Sequence, residues 1–533
     1  MKKVFAALVI ALHIFLFSGG IQAQPVEFTI LHTSDIHAHL LEFETDPGKL
    51  LGGYARIKAY KDAVEKEGRQ VLMLSSGDIF QGTFFYKFFQ GIPDVIFMNR
   101  TGYSAMTLGN HEFDGGQAAL AEAISYAKFP VLAANIKFKK LPELQSKLRP
   151  WTIVEIGGKE EPVKVAMIGL TVENLGQIVP GVFVKDLEVI RAEEALHRRI
   201  KEVKEAGAQV IIALAHLGWD RELEIFEKFP EIDGVLGGHT HLENSAVTEG
   251  PNGHRFIAES GEWGKGVTRL DVVYNPSAKR RFKVKAAALV TMDQNIAQDE
   301  SIKAEAEGLW QQIQEKVNIP VGITTNYLNG DRTCIRTGET NLGNLVADCI
   351  LDTVNAEIAL INGGGIRSSI ATGTITIGDC LNVLPFDNYL IKMEMSGATL
   401  IKIFDQVREA MIKETGFGGF LQVSRGLEVR YYKNMVQVTF NGIPVEPDHT
   451  YTIATNDFLS GGGNGLTAFM EAFQAESTGV LAADAFIKYI KEHKLISAHE
   501  EGRIKVDFKL PEPKSPEGVL KNIPDQFNSS KQR

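Results

Sequence analysis

The chain has 533 residues, 44% of them hydrophobic, and a formal net charge of −10 at neutral pH. That length exceeds one ordinary domain and that apolar content can fill large cores, so two domains are expected. The negative balance argues against a nucleic-acid polymer or an anionic membrane as partner, and any anionic substrate must be drawn by a local positive site.

The N-terminus carries Lys2 and Lys3, an apolar run from Val4 to Phe17, and then Ile21-Gln-Ala23. This is the pattern of an export signal (residues 1–23) cleaved after Ala23, leaving a periplasmic or secreted protein with no stable membrane anchor. From Phe28 to about Gln294 one pattern recurs: a β-prone apolar run, a Gly or Ser turn, then side chains able to bind a metal. Phe28 to His32 runs into Asp35-Ile-His37, Val71 to Leu74 into Gly77-Asp78, and Ser104 to Leu108 into Gly109-Asn110-His111-Glu-Phe-Asp114. Val210 to Ala215 ends in His216, and Gly234 to Gly238 opens onto His239-Thr-His241. Helical periodicity fills Gly53 to Glu67, Gln117 to Lys128 and Ala192 to Ala206, so an α/β layered sandwich is expected over 24–297, with its site at one rim of the sheets.

These residue types suit a pair of divalent ions, which need a shared anionic bridge, several neutral ligands and open positions. Asp78 is the natural bridge. Asp35, His37 and His241 would complete one ion, and Asn110, His216 and His239 the other; this mixture of nitrogen and oxygen suits Zn²⁺ or Mn²⁺. His111 is placed to donate a proton to a phosphate oxygen or leaving group, and Asp114, three residues on, to orient its imidazole. His32, His39 and His254 lack this context and are read as structural.

Asp299 to Val317 has helical periodicity that Ile319-Pro-Val-Gly-Ile breaks, which fits a plain core helix as well as a connector. A second α/β domain is expected over 324–510. Within it Arg336 precedes a helical pattern, and Asn362-Gly-Gly-Gly-Ile-Arg367 follows the apolar run Ile358 to Ile361. Gly364 and its neighbours would let a backbone approach a ligand closely, and Arg367 would offer a guanidinium to phosphate; the Lys-Ser/Thr ending of a P-loop is missing. Phe420 and Phe458, each on a Gly-rich stretch, could clamp a flat base. Three cysteines, Cys334, Cys349 and Cys380, without a Cys-x-x-Cys pair, read as buried thiols. The tail, 511–533, is polar, contains proline and is expected to be flexible.

The five blocks Asp35-Ile-His37, Gly77-Asp78, Gly109-Asn-His-Glu112, His216 and Gly238-His-Thr-His241 resemble the calcineurin-like dinuclear metallophosphoesterases. Over nearly the whole mature chain the sequence is similar to exported 5′-nucleotidases, a group that includes periplasmic UDP-sugar hydrolases. The resemblance implies an N-terminal αββα metallophosphoesterase sandwich, a connector helix and hinge over 298–323, and a C-terminal mixed α/β nucleotide-binding domain. It implies that Asp78 bridges the ions and that His111 with Asp114, and Asn110 beside them, stabilise the transition state. It further implies that Arg336 and Arg367 lie near the phosphates, that Asn362 lies near the base, and that Phe420 and Phe458 sandwich the base. Where the family has Asp on its ribose-binding loop this chain has Asn464, which loses a charge-assisted bond and with it a strict ribonucleotide preference.

The expected reaction is hydrolysis of a nucleoside 5′-monophosphate, a small-molecule substrate held between two domains that rotate about residues 317–330. Nucleotide di- and triphosphates and UDP-sugars are further candidate substrates. The alternatives are a 2′,3′-cyclic-nucleotide phosphodiesterase with 3′-nucleotidase activity and a non-catalytic nucleotide-binding protein. A thiosulfate-linked hydrolase of the same superfamily fits the aromatic clamp poorly.

Overall fold

The computed structural model describes residues 24–511 except 47, 141, 159–161, 180 and 185. The export signal and residues 512–533 of the expected tail therefore lie outside the described residues. In the first domain, strands Val26–Thr33, Gln70–Ser75 and Ala105–Thr107 pair in parallel, joined through helices that include Tyr54–Lys66 and Ile92–Thr101. A second parallel set, Val163–Thr171, Val210–His216 and Gly234–Gly237, is joined through Ala192–Glu205 and Trp219–Lys228. Strands Gly253–Ser260, Gly266–Tyr274 and Phe282–Thr291 connect the two sets into one hydrogen-bonded path that folds back on itself.

The layering follows from the two-residue period of a strand. Phe28, Ile30, Leu72 and Leu74 of the first set point inward and meet Val165, Met167, Ile212 and Leu214 of the second in a central core. Their neighbours Leu31 and Met73 face one helical layer, and Ile211 and Ala213 face the other. The result is the expected αββα sandwich, and the C-terminal ends of both parallel sets open on the same rim.

Helix Glu300–Val317 starts at Asp299, whose carboxylate accepts the Ile302 N–H at 2.9 Å as an N-cap. Ile302 and Ala306 are packed into a core of the first domain, and Ile313 and Val317 into a core of the second. The hinge expected to reach residue 323 is shorter, because Pro320–Thr324 is already a strand of the second domain, paired with Gly373–Thr376 and Leu495–Ile496. Apolar content alone could not tell that strand from a linker.

The second domain holds a five-stranded sheet in the order Leu421–Val423, Ile358–Asn362, Thr450–Asn456, Tyr389–Ser396, Phe473–Leu481. Alternation again sends Ile358 and Leu360 to one core and Ala359 and Ile361 to the other. Helices Asn341–Val354 and Ala482–His493 cover the second face, and Gly397–Lys413 the first. Among the described residues all three cysteines are free thiols, with Cys349 and Cys380 buried and Cys334 exposed, and no helix is long and apolar enough to cross a membrane.

Candidate active site

The predicted metal-binding side chains of the first domain sit at or just beyond the C-terminal ends of parallel strands, and the fold gathers them at one rim. Asp35, His37 and His241 form one group with facing ligand atoms, Asp78, His216 and His239 another, and His37, Asp78 and His111 a third that joins them. His239 Nδ1 lies 2.9 Å from Asn110 Oδ1. Asp78 stands between the groups: one carboxylate oxygen is 3.0 Å from His216 Nε2, and the other accepts the His111 backbone N–H at 2.8 Å.

The backbone holds these side chains in conformations that few residues adopt. Asp35, His37, Asp78, His239 and His241 have φ of 51°, 50°, 49°, 85° and 62°, in the left-handed region that disfavours a Cβ. Strain of this kind, roughly 1 to 3 kcal/mol per residue, persists where the surroundings enforce it and clusters at functional sites. Gly109 serves a close approach, since a Cβ there would lie 2.2 Å from Asp78 Oδ1. Three buried carboxylates brace the loops. Glu112 accepts the N–H groups of Gly109 at 2.5 Å, Ile79 at 2.8 Å and Asp78 at 3.0 Å. Glu222 accepts those of Leu217 and Gly238, and Glu259 takes the Thr240 hydroxyl and the Leu242 N–H.

The donor set fits divalent ions on its own geometry. His37 donates Nδ1–H to the carbonyls of Phe80 and Gln81, and His241 donates Nδ1–H to the Glu262 carboxylate. Each Nε2 is then left with a lone pair, and the two nitrogens face each other at 3.2 Å. Two lone pairs at that distance repel unless a cation lies between them. His216 likewise donates Nδ1–H to the Ser76 carbonyl at 2.7 Å, which turns its buried Nε2 toward Asp78 Oδ2 at 3.0 Å.

His111 is held differently. Its Nδ1 is 2.6 Å from Asp114 Oδ2, which leaves Nε2 free toward the site. Burial alone would lower its pKa, but the Asp114 and Asp78 carboxylates reverse that and raise it above the usual imidazole value. Both carboxylates thereby stabilise the protonated ring, the form that can donate from Nε2.

The second domain faces this rim with cations. The Arg332 guanidinium lies 3.0 Å from His241 Nδ1. Arg367 stands over the Phe386 ring at 5.9 Å, and burial pushes its pKa down to about 10, still cationic at neutral pH. Arg336 keeps its Nε buried and without a hydrogen-bond partner among the described residues. Asn362 donates from Nδ2 to Asn464 Oδ1 at 3.4 Å and accepts from Asn456 at 3.2 Å, so these amides form one polar cluster. A cleft of about 320 Å³ beside Asn464 is lined by Phe417, Lys413 and Glu414 among others.

Two expectations for this domain are corrected. Phe420 is 0% exposed and packs on Tyr431 in the core, so it has no face to offer a base. The half-buried rings on site-facing loops are instead Phe386, Phe417 and Phe458. Phe386 stacks on His111 with ring centroids 6.1 Å apart, and Asn388 ties its loop to Asp457, the neighbour of Phe458, at 2.7 Å. The second correction concerns Gly364, whose N–H donates to the Gly418 carbonyl at 2.8 Å. The close approach permitted there is to the chain's own backbone.

Comparison with known proteins agrees with this arrangement. A calcineurin-like phosphoesterase profile matches residues 28–243, and a 5′-nucleotidase C-terminal domain profile matches residues 320–471. Snake venom 5′-nucleotidase of Gloydius brevicauda is 30% identical, over 91% of this chain and 90% of that protein. The chain belongs to the 5′-nucleotidase family. Protein UshA of Yersinia enterocolitica is also 30% identical, across 89% of this chain and 92% of its own. The trifunctional nucleotide phosphoesterase YfkN of Bacillus subtilis is 30% identical over 90% of this chain, which spans 35% of that longer protein. The crystal structure of the 5′-nucleotidase precursor from Thermus thermophilus superposes with a TM-score of 0.81 at 31% identity, covering 91% of this chain and 100% of that one.

As a 5′-nucleotidase family member the chain is a hydrolase of the metallophosphoesterase type, a class that uses divalent metals. The sequence alone did not single out Phe386, Arg332, or the bracing roles of Glu112, Glu222 and Glu259. Glu112 had a visible signal, a carboxylate inside the tight Gly109–Asp114 turn. Phe386 sits in a Leu-Pro-Phe stretch with nothing local to separate a binding ring from a packing one.

Proposed function

We propose that the protein is exported and hydrolyses nucleoside 5′-monophosphates to nucleoside and phosphate, with two divalent ions, Zn²⁺ or Mn²⁺, held about Asp78. Nucleotide di- and triphosphates and UDP-sugars are proposed as further substrates. The observation that carries this reading is the position of Asp78 between two donor groups, with His111–Asp114 beside it and Arg332 and Arg367 of the second domain facing the same rim.

Asp35, His37 and His241 would hold one ion, Asn110, His216 and His239 the other, and Asp78 both. Ions bound there polarise phosphoryl oxygens and lower the pKa of a water toward neutrality. His111, protonated on both ring nitrogens, donates Nε2–H to the phosphoryl group as charge builds on it, and Asp114 accepts Nδ1–H and stabilises that imidazolium. Arg336 and Arg367 bind phosphate oxygens and orient the phosphorus for in-line displacement. Phe386 and Phe458, on loops joined by Asn388 and Asp457, stack on the base, while Asn362 and Asn464 bind the polar edges of the nucleoside. Catalysis is assigned to residues 24–297 and nucleoside binding to residues from 320 onward, so the substrate spans both domains and a domain rotation admits it.

The test is phosphate release from AMP, dAMP, UDP-glucose and 2′,3′-cyclic AMP by protein stripped of metal and reloaded with Mn²⁺ or Zn²⁺. Release from AMP that depends on metal supports the reading. Release from 2′,3′-cyclic AMP alone would favour a cyclic phosphodiesterase, and no release with both ions bound would favour a binding role.

A further inference from the structure

The histidines of the two proposed ion sites lean on different partners. His37 and His216 donate Nδ1–H to neutral backbone carbonyls, and His239 turns Nδ1 itself toward Asn110. His241 alone among them donates to an anion, the Glu262 carboxylate. The other Glu262 oxygen accepts from Lys265 Nζ at 3.0 Å, and that ammonium also stands 4.8 Å over the Trp263 ring, so the carboxylate is held from behind. Trp263 in turn donates its backbone N–H to the Asp35 carbonyl at 2.7 Å and stacks on His39. Glu262, Trp263 and Lys265 thus form one brace under the group Asp35, His37 and His241, and nothing equivalent among the described residues backs His216 or His239.

We propose that Glu262 is a positioning residue that makes the ion at Asp35, His37 and His241 the tightly held member of the pair, leaving the ion at Asn110, His216 and His239 the exchangeable one. The inference rests on the two-ion reading given above. A carboxylate on the far nitrogen fixes the tautomer, so that Nε2 presents its lone pair, and makes that lone pair a stronger donor. The ligand set acts in the same direction, since this group holds the Asp35 carboxylate besides Asp78 nearby, whereas Asn110, His216 and His239 bring no carboxylate of their own. Arg332 cannot replace Glu262. A guanidinium carries only donors, so it cannot accept the Nδ1–H, and as a cation near His241 it opposes metal binding.

The experiment is calorimetric titration of the metal-stripped full-length protein with Mn²⁺, comparing wild type, Glu262→Gln and Glu262→Ala, with the melting temperature of each metal-free protein as a check on folding. Wild type is expected to bind two ions with separable affinities. Removing an outer partner of this kind costs about 10- to 100-fold in metal affinity. Glu262→Gln, which keeps an acceptor but loses the charge, is expected to weaken only the tighter event by about tenfold, and Glu262→Ala by about a hundredfold. Metal-free melting temperatures that stay together would show that any loss of metal affinity is not a loss of folding. Equal weakening of both events, unchanged binding in both variants, or loss limited to the weaker event would overturn the proposal. If wild type itself bound fewer than two ions the two-ion reading would fail and carry this inference with it. Two ions in wild type and no change in the variants would remove this inference alone.

Discussion

The two walls of the site are built on opposite principles. On the first domain the reactive side chains are buried, held in left-handed backbone and braced from below by Glu112, Glu222 and Glu259, so their geometry exists before any ligand arrives. On the second domain the facing groups are half-buried rings, an arginine with an unpartnered Nε and a chain of amides, a surface completed by what it binds. Rigid placement suits charge stabilisation, where a small displacement is costly. An adaptable surface suits a substrate that has to enter and leave.

That contrast can be broken at several points. The largest effect is expected at the rigid wall: His111→Ala should lower kcat with AMP by about 10² to 10⁴-fold, the range for loss of a positioned acid, while the ions measured by elemental analysis remain bound. A fall in metal content instead would make His111 a ligand. Next comes the correction at Phe420. Phe420→Ala should lower stability by about 3 to 5 kcal/mol, as for other buried aromatic truncations, with KM for AMP nearly unchanged in the folded fraction. Phe386→Ala and Phe458→Ala should do the reverse, raising KM by an amount corresponding to about 1 to 3 kcal/mol of base stacking with little change in melting temperature. If Phe420→Ala raised KM and the other two did not, the clamp proposed here would be wrong. The smallest effect is expected at Asn464. Wild type should show an AMP to dAMP ratio of kcat/KM near one, and Asn464→Asp should raise it about fivefold through a charge-assisted bond to the ribose.

The same contrast explains what could be read from the residues alone. Candidate ligands such as Asp35, His216 and His241 follow apolar runs of recognisable period, and their chemical types restrict what they can do together, so both the αββα layering and the grouping about Asp78 were legible. The helix that joins the domains was also legible as far as Val317, because Ala306, Leu309, Trp310, Ile313 and Val317 recur at helical spacing, although that spacing alone could not tell a connector from a core helix. Beyond it, Pro320–Thr324 is too short to announce itself as a strand. Phe420 was misplaced for a related reason. A phenylalanine beside glycines looks the same in sequence whether its ring faces a cleft or a core, and here the packing of Tyr431 decides. Arg332 reaches the site only because the domains close on each other, a distance of 91 residues from His241 along the chain.

The connector helix has a practical consequence for anyone who would dissect the protein. Because Ile302 and Ala306 fill one core and Ile313 and Val317 another, no cut within the helix leaves two sealed halves. A fragment ending before Asp299 would open a greasy slot to water, and a fragment beginning there would carry an unpaired apolar stripe at its start. Such pieces are expected to aggregate when made separately, whereas the intact chain keeps both stripes covered.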